Sequence, residues 1–253
     1  MKKILFLATT IIITFSACKK KDVPVTPAPL TTYLSKEIYP NLGTFTWAYN
    51  AQNKLSNIVF ASENEAANKS YTYIVNNLDA EGKVLDATYD YVSAARADIK
   101  VVNTYTADGL LAQTRFTDLA TGALLYYDNY IFTGTLIKIN NYNALNARTG
   151  YSLSTLSADG KNTTETKVFN NSDVLQYTNT YNNFDNIKAA QSLFPKGIYG
   201  PLPRTNNYLS QVYTNAAGVP TTYTYTYEAN TDGFTTKRIS ASGAINTFEY
   251  IKK

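Results

Sequence analysis

The sequence predicts an all-β fold, in which an antiparallel meander of tandem hairpins forms a curled sheet or a partly closed barrel. Three observations predict it: aromatic residues alternate with small polar ones, turn-forming residues recur at intervals of about a dozen residues, and no helical period is sustained. In the run YTYTY, from Tyr223 to Tyr227, the tyrosines share one strand face and the threonines the other, since successive side chains point to opposite faces. One face is therefore expected to be packed and the other to face water.

The N-terminus has the order of parts of a bacterial export signal. Lys2 and Lys3 precede an apolar run, and small residues then lead to Cys18, the only cysteine. The apolar run is shorter than the roughly 20 residues that span a bilayer, so residues 1–17 are predicted to be a signal peptide. Phe15-Ser-Ala-Cys18 resembles the lipobox of bacterial lipoproteins, with phenylalanine where leucine is usual. The alternative is a simple secretory signal in which the cysteine is incidental.

The lipobox resemblance implies that Cys18 is lipidated and anchors the protein to the outer membrane. The membrane is then a partner through this anchor, and the protein lies on the periplasmic side or at the cell surface. Residues 18–32 contain Pro24, Pro27 and Pro29, and proline favours extended backbone at its own position and the one before it. We expect these residues to form a stiff tether, and residues 33–253 to form a single β-meander domain.

Each hairpin of this domain is predicted from an aromatic strand followed by turn-forming residues. Phe45, Trp47 and Tyr49 alternate with smaller residues before a turn at 50–54, and the chain then returns from Leu55. Residues 62–69 are predicted to be a hairpin loop rather than a helical turn. Further turns are predicted at 79–82, 107–109, 120–122, 132–134, 158–160, 170–173, 182–186, 215–218, 228–233 and 241–243. A dozen or more strands would fit this pattern.

The repeated pattern resembles the tyrosine- and aspartate-rich hairpin repeats of secreted bacterial proteins. It resembles more closely a group of Bacteroidota cell-envelope lipoproteins of unknown function whose domain is described as porin-like. The residues that carry the resemblance are 181–187, 213–218, 223–227 and the insertion 193–208, with Arg204-Thr-Asn-Asn207 in place of an S-K-N-N-like end. The resemblance implies an outer-membrane lipoprotein with a curled antiparallel sheet and implies no activity.

The faces without aromatic residues carry Thr, Asn, Lys and Asp on nearly every predicted strand. A strand that faces lipid needs an apolar outward band, so we expect a barrel or curled sheet in water, with its aromatic face turned inward. Closure of such a sheet would also remove exposed strand edges.

Two interpretations of the aromatic residues stay open. They form the core, or some of them line a groove that binds a glycan, a peptide or an envelope protein, because tyrosine and tryptophan offer flat apolar faces with polar edges. The candidate ligand-binding residues are Phe45, Trp47, Tyr49, Phe194 and Tyr199. Phe194 and Tyr199 belong to the insertion 191–208, which is rich in proline and glycine and is predicted to be a lid over one end of the sheet or a contact for a partner.

The composition argues against the common catalytic chemistries. The chain has no histidine, which excludes histidine-dependent triads and histidine-ligated zinc, and we predict no catalytic residue, no metal and no cofactor. Removal of the predicted signal peptide takes away Lys2 and Lys3 and lowers the formal net charge of +4 by two, to +2, and such a nearly neutral surface gives no argument for nucleic acid. The favoured interpretation is a non-catalytic lipoprotein that binds a glycan, a peptide or an envelope partner. The alternatives are a structural lipoprotein without a ligand groove and a histidine-free glycosidase with paired carboxylates.

Overall fold

The computed structural model describes residues 30–63, 69–198 and 200–253. Residues Thr31–Lys253 form one compact unit. The predicted signal peptide, Cys18, residues 18–29 of the predicted tether, Tyr199 and the central residues 64–68 of the loop predicted at 62–69 lie outside the described residues. Lipidation of Cys18 and the tether therefore stay predictions.

The described chain folds into sixteen strands that close into one antiparallel barrel. In chain order they are β1 (Thr32–Tyr39), β2 (Gly43–Tyr49), β3 (Leu55–Ser62), β4 (Tyr71–Leu78), β5 (Val84–Tyr91), β6 (Ile99–Tyr105), β7 (Leu111–Asp118), β8 (Leu124–Thr133), β9 (Leu136–Asn143), β10 (Arg148–Leu156), β11 (Thr163–Asn170), β12 (Leu175–Lys188), β13 (Asn206–Asn215), β14 (Pro220–Ala229), β15 (Thr235–Ser240) and β16 (Ile245–Lys252). Each strand pairs with its neighbours in sequence, and β1 pairs with β16. The predicted all-β meander is confirmed, and the barrel is closed, so these strands leave no free edge.

One predicted turn is wrong. Residues 182–186 lie inside β12, where Asn182 pairs with Ser210 and Phe184 pairs with Tyr208 of β13. Asn183 has a φ of 55°, a left-handed conformation that asparagine tolerates better than most residues. The same residue type that marks a turn therefore occupies a left-handed position within a continuous strand.

The inner face of the barrel carries an aromatic and aliphatic core. Most of it comes from β1–β6 and β16, and its buried side chains include Leu34, Trp47, Ile58, Tyr73, Val84 and Phe248. This arrangement confirms the predicted inward orientation of the aromatic face for these strands.

The outer wall carries charged side chains. Three ion pairs lie on it: Lys36 with Glu249 at 4.0 Å, Lys237 with Glu228 at 2.8 Å and Lys167 with Glu165 at 2.9 Å. Four aromatic rings also face outward, as two stacked pairs between neighbouring strands, Tyr127 with Tyr142 and Tyr151 with Phe169. The inward orientation does not hold for these four rings.

The longest connection, between β12 and β13, folds back onto the barrel. It contains a short 3-10 helix, Ala190–Leu193, and its Ala190 and Ile198 are buried in the core. The insertion therefore packs against the barrel, as a lid would, and its predicted role as a lid or as a contact for a partner stays a prediction. No helix in the described residues is long and apolar enough to cross a membrane.

Candidate functional site

The insertion between β12 and β13 is joined to the core through Trp47. The Trp47 indole, 3% exposed, stacks on the Phe194 ring with 4.7 Å between ring centroids and 24° between ring planes. Trp47 Nε1 donates to Glu37 Oε1 at 3.0 Å, and Tyr39 OH donates to Glu37 Oε2 at 2.6 Å. Burial of Glu37 raises the pKa of its carboxyl, and hydrogen bonds from Tyr39 and Trp47 and the charge of Arg238 oppose that rise.

A backbone and a side-chain hydrogen bond from the barrel hold the middle of the insertion. Val84 N donates to Lys196 O at 3.0 Å, and Asn103 Nδ2 donates to Gly197 O at 2.9 Å. Asn103 is itself buried, and its Oδ1 accepts from Thr114 Oγ1 at 2.7 Å. The insertion is therefore a fixed part of the wall of any cavity that it lines.

Asn162 holds the C-terminal end of the insertion. Its Oδ1 accepts from Thr205 N at 3.0 Å and from Asn206 N at 2.9 Å, and its side chain is buried. A buried amide that bonds two backbone N–H groups replaces the pairing that an irregular segment lacks.

A cavity of about 520 Å³ lies between the insertion and the barrel wall. We call it the mouth cavity. Its wall is largely apolar and includes Leu111, Phe132, Phe194, Pro201, Leu202 and Pro203. A concave, mostly apolar cavity of this size with a few polar groups is the usual form of a small-molecule site.

Arg204 supplies a positive charge to the mouth cavity. Its guanidinium lies over the Tyr208 ring, 4.5 Å from the centroid, and 6.0 Å from the Tyr181 centroid. None of the ion pairs of the described residues includes Arg204, and no carboxylate of those residues lines the cavity. Lys196 is a second cation in the lining. The arrangement can therefore hold an anionic group beside an apolar surface.

A second cavity, of about 310 Å³, lies inside the barrel, and we call it the inner cavity. Gly197 and Gly200 line both cavities, so these two glycines form a partition between them. The inner cavity is lined by the aromatic residues Tyr73, Tyr89, Phe116 and Tyr130 and by the polar residues Asp128, Asn141, Thr114 and Ser152.

Asp128 carries the one carboxylate among the described residues that line the inner cavity. Asn141 Nδ2 donates to Asp128 Oδ1 at 2.6 Å. Partial burial raises the pKa of the Asp128 carboxyl, and the bond from Asn141 opposes that rise. Glycoside hydrolysis by paired carboxylates needs two such groups, and neither cavity brings together two carboxylates of described residues.

The structure brings two of the predicted ligand-binding residues, Trp47 and Phe194, into direct contact. Trp47 is buried, whereas Phe194 also lines the mouth cavity. Phe45 and Tyr49 pack against the core, where Phe45 stacks on Phe60 and Tyr49 OH donates to Leu34 O at 2.8 Å. Tyr199 lies outside the described residues.

Two cavity residues were not singled out from the sequence. Asp128 lies two residues from both Tyr126 and Tyr130 in the run YYDNY. Because side chains two residues apart share a strand face, this spacing places the Asp128 carboxylate on the aromatic face, and it is the sequence feature that points to Asp128. Arg204 was noted only as part of the insertion. No local pattern indicates that it faces a cavity, because the cavity depends on where the whole insertion lies.

No family model matches this sequence, and no curated protein matches it. Two solved structures are similar in fold. One is a porin-like protein from Bacteroides uniformis, with a TM-score of 0.41 and 15% identity, covering 91% of this chain and 99% of that chain. The other is a porin-like protein from Bacteroides vulgatus, with a TM-score of 0.39 and 11% identity, covering 86% of this chain and 98% of that chain. At these TM-scores the likeness carries no argument about the family or the function of this chain.

Proposed function

We propose that this protein is a non-catalytic lipoprotein of the outer membrane whose barrel binds a ligand with an apolar body and a carboxylate. The ligand lies in the mouth cavity, and the Arg204 guanidinium faces its carboxylate. A peptide with an apolar side chain next to a free carboxylate belongs to this class.

Two observations support the location. The N-terminal sequence ending at Cys18 has the parts of a lipoprotein signal. The outer wall carries ion pairs such as Lys237 with Glu228, and a lysine at the middle of a lipid bilayer costs about 2–4 kcal/mol. The barrel is therefore proposed to lie in water, held near the membrane by the lipid on Cys18 and not by its strands.

The observation that carries the binding proposal is the cation of Arg204 in an apolar cavity. A guanidinium that lies against aromatic rings without a carboxylate partner has lost part of its hydration and has no ion pair in return. A bound carboxylate would supply the missing partner through two parallel N–H···O bonds. A purely structural lipoprotein would have no need of an apolar cavity with a cation that lacks a carboxylate partner among the described residues.

Hydrocinnamate and its neutral amide test the proposal, because the two compounds differ only in the charged group. Their dissociation constants would be measured by isothermal titration calorimetry on the full chain in detergent. We expect tighter binding of the carboxylate, by about 10-fold or more, since hydrogen bonds to charged groups contribute roughly 1.5–3 kcal/mol. Arg204→Gln should remove this preference and leave the amide bound as before.

Arg115→Gln is the matched control, because Arg115 lies on the outer wall beside Tyr127. This variant should bind both compounds as the wild type does. Equal binding of carboxylate and amide by the wild type, or an unchanged preference in Arg204→Gln, would contradict the proposed site.

The location has a separate test. Cys18→Ser removes the acceptor of the lipid, so the protein should move from the membrane fraction of the native host to the aqueous fraction, or remain as an unprocessed precursor. A Cys18→Ser protein that is processed and stays in the membrane fraction would show that the barrel or another contact holds it there.

A further inference from the structure

The inner cavity combines aromatic rings with one unpaired carboxylate. Tyr73 and Tyr89 meet edge to face, with 4.9 Å between ring centroids, and Phe116 and Tyr130 line the cavity as well. The face of an aromatic ring carries partial negative charge, so several rings around a space attract a cation.

Asp128 adds a full negative charge to this aromatic surface. None of the ion pairs of the described chain includes Asp128, and its carboxylate accepts a hydrogen bond from the neutral amide of Asn141. No lysine or arginine of the described residues lines the inner cavity. All of the electrostatic features of the cavity therefore favour positive charge.

Hydrogen bonds fix the Tyr130 ring and the partition. Tyr130 OH donates to Thr114 Oγ1 at 3.1 Å, Thr114 Oγ1 donates to Asn103 Oδ1 at 2.7 Å, and Asn103 Nδ2 donates to Gly197 O at 2.9 Å. This part of the cavity wall is thus held in place by hydrogen bonds within the protein, which lowers the entropy cost of binding.

We propose that the inner cavity binds a small organic cation, with the Asp128 carboxylate next to the positive charge and the rings of Tyr73, Tyr89 and Phe116 around its alkyl groups. A quaternary ammonium or a methylated amine is the ligand class. Such a cation is large enough to contact several rings and is weakly hydrated, so it leaves water at lower cost than a metal ion. A volume of about 310 Å³ suits a ligand of this size. This site shares no charged residue with the mouth cavity, so each can fail alone.

Choline and its neutral carbon isostere, in which a tert-butyl group replaces the trimethylammonium group, are the probes. Isothermal titration calorimetry on the full chain in detergent would give both dissociation constants. We expect choline to bind at least about tenfold more tightly than the isostere. Asp128→Asn should remove most of that difference, whereas Asp90→Asn, the same change at an exposed position of β5, should preserve it.

Ser152→Phe is a second variant that keeps every charge. Ser152 lines the inner cavity, so a phenyl group there would fill the space and abolish binding of both probes. Circular dichroism would establish that each variant is folded. The proposal is overturned if the wild type binds neither probe, if it binds the isostere as tightly as choline, or if folded Asp128→Asn or Ser152→Phe binds choline as the wild type does. Loss of the preference for hydrocinnamate over its amide in Arg204→Gln, together with intact choline binding, would separate the two sites.

Discussion

The Trp47 indole and the Phe194 ring lie nearly parallel, 4.7 Å apart, and this stack joins the second strand of the barrel to the insertion. Phe194 faces the mouth cavity on one side and the buried Trp47 on the other. The stack therefore connects the wall of a candidate binding site to the hydrophobic core.

Phe194→Ala should loosen the insertion and expose Trp47. Truncation of a packed phenylalanine costs about 3–5 kcal/mol in a full core, and we expect the lower part of that range because Phe194 is only half-buried. Trp47 is the only tryptophan, so the tryptophan emission reports on the surroundings of this one side chain. The emission should shift to longer wavelength and become more sensitive to acrylamide.

Phe169→Ala is the control for that experiment, because Phe169 stacks on Tyr151 on the outer wall. It should leave the emission of Trp47 unchanged. An equally small effect on Trp47 in Phe194→Ala would mean that the stack does not hold the insertion in place.

Gly197→Ala should destabilise the protein more than an alanine at another left-handed glycine. Gly197 has a φ of 92°, and an added Cβ would lie 2.7 Å from Asn103 Nδ2, 3.1 Å from Val84 O and closer still to Tyr105 OH. Gly160 has a φ of 71° with no atom within 4 Å of the added Cβ, so Gly160→Ala carries the backbone strain without the clash.

The strain costs roughly 1–2 kcal/mol at either position, and the clash should add about 1–3 kcal/mol at Gly197. Urea unfolding of the two variants measures the difference. If Gly197→Ala and Gly160→Ala lowered the free energy of unfolding equally, the insertion would have to move away from β5 and β6 at little cost in free energy.

The sequence predicted the strands and most turns because those features depend on neighbouring residues. A strand is indicated by the alternation of residue types within it, as from Tyr223 to Tyr227, and a hairpin turn is indicated by the glycine that it contains. Closure of the barrel depends on the pairing of β1 with β16, at opposite ends of the domain, and no local pattern encodes it. The prediction of a turn at 182–186 is wrong because an asparagine in the left-handed conformation occurs within a strand here, and not only in turns.

The candidate sites were harder to predict than the fold. Trp47 and Phe194 were both singled out, but their contact depends on the path of the insertion into the barrel. Asp128 lines a cavity only because β4–β10 curve around the space and Gly197, Ile198 and Gly200 of the insertion cover one side of it. Such cavities result from the packing of segments that are distant in sequence, so local sequence patterns give little indication of the residues that line them.

Tyr73→Phe should preserve or raise the stability of the protein. The Tyr73 hydroxyl is buried and has no hydrogen-bond partner among the described residues, so it has lost its hydration without compensation. Tyr49 OH, in contrast, donates to Leu34 O at 2.8 Å. Tyr49→Phe should therefore lower the free energy of unfolding by about 1 kcal/mol, and Tyr73→Phe should not lower it. If Tyr73→Phe lowered the free energy of unfolding as much as Tyr49→Phe does, the Tyr73 hydroxyl would have an ordered hydrogen-bond partner.

Glu37→Gln should change how stability depends on pH. Burial raises the pKa of the Glu37 carboxyl in the folded state above the usual value of 4.5, so the folded state binds the proton more tightly than the unfolded state does. The stabilisation from this proton is complete below the unfolded pKa and is lost as the pH rises through the higher folded pKa.

The free energy of unfolding of the wild type, measured relative to Glu37→Gln, should therefore fall as the pH rises above the unfolded carboxyl pKa of 4.5 and through the higher folded pKa. Urea unfolding of the two proteins across this range gives the difference directly and cancels the titration of the other carboxyls. Glu249→Gln, which removes an exposed carboxyl from the outer wall, is the control. A difference that rises with pH would mean that the hydrogen bonds from Tyr39 and Trp47 and the charge of Arg238 outweigh the cost of burying the carboxylate, because these contacts favour its charged form.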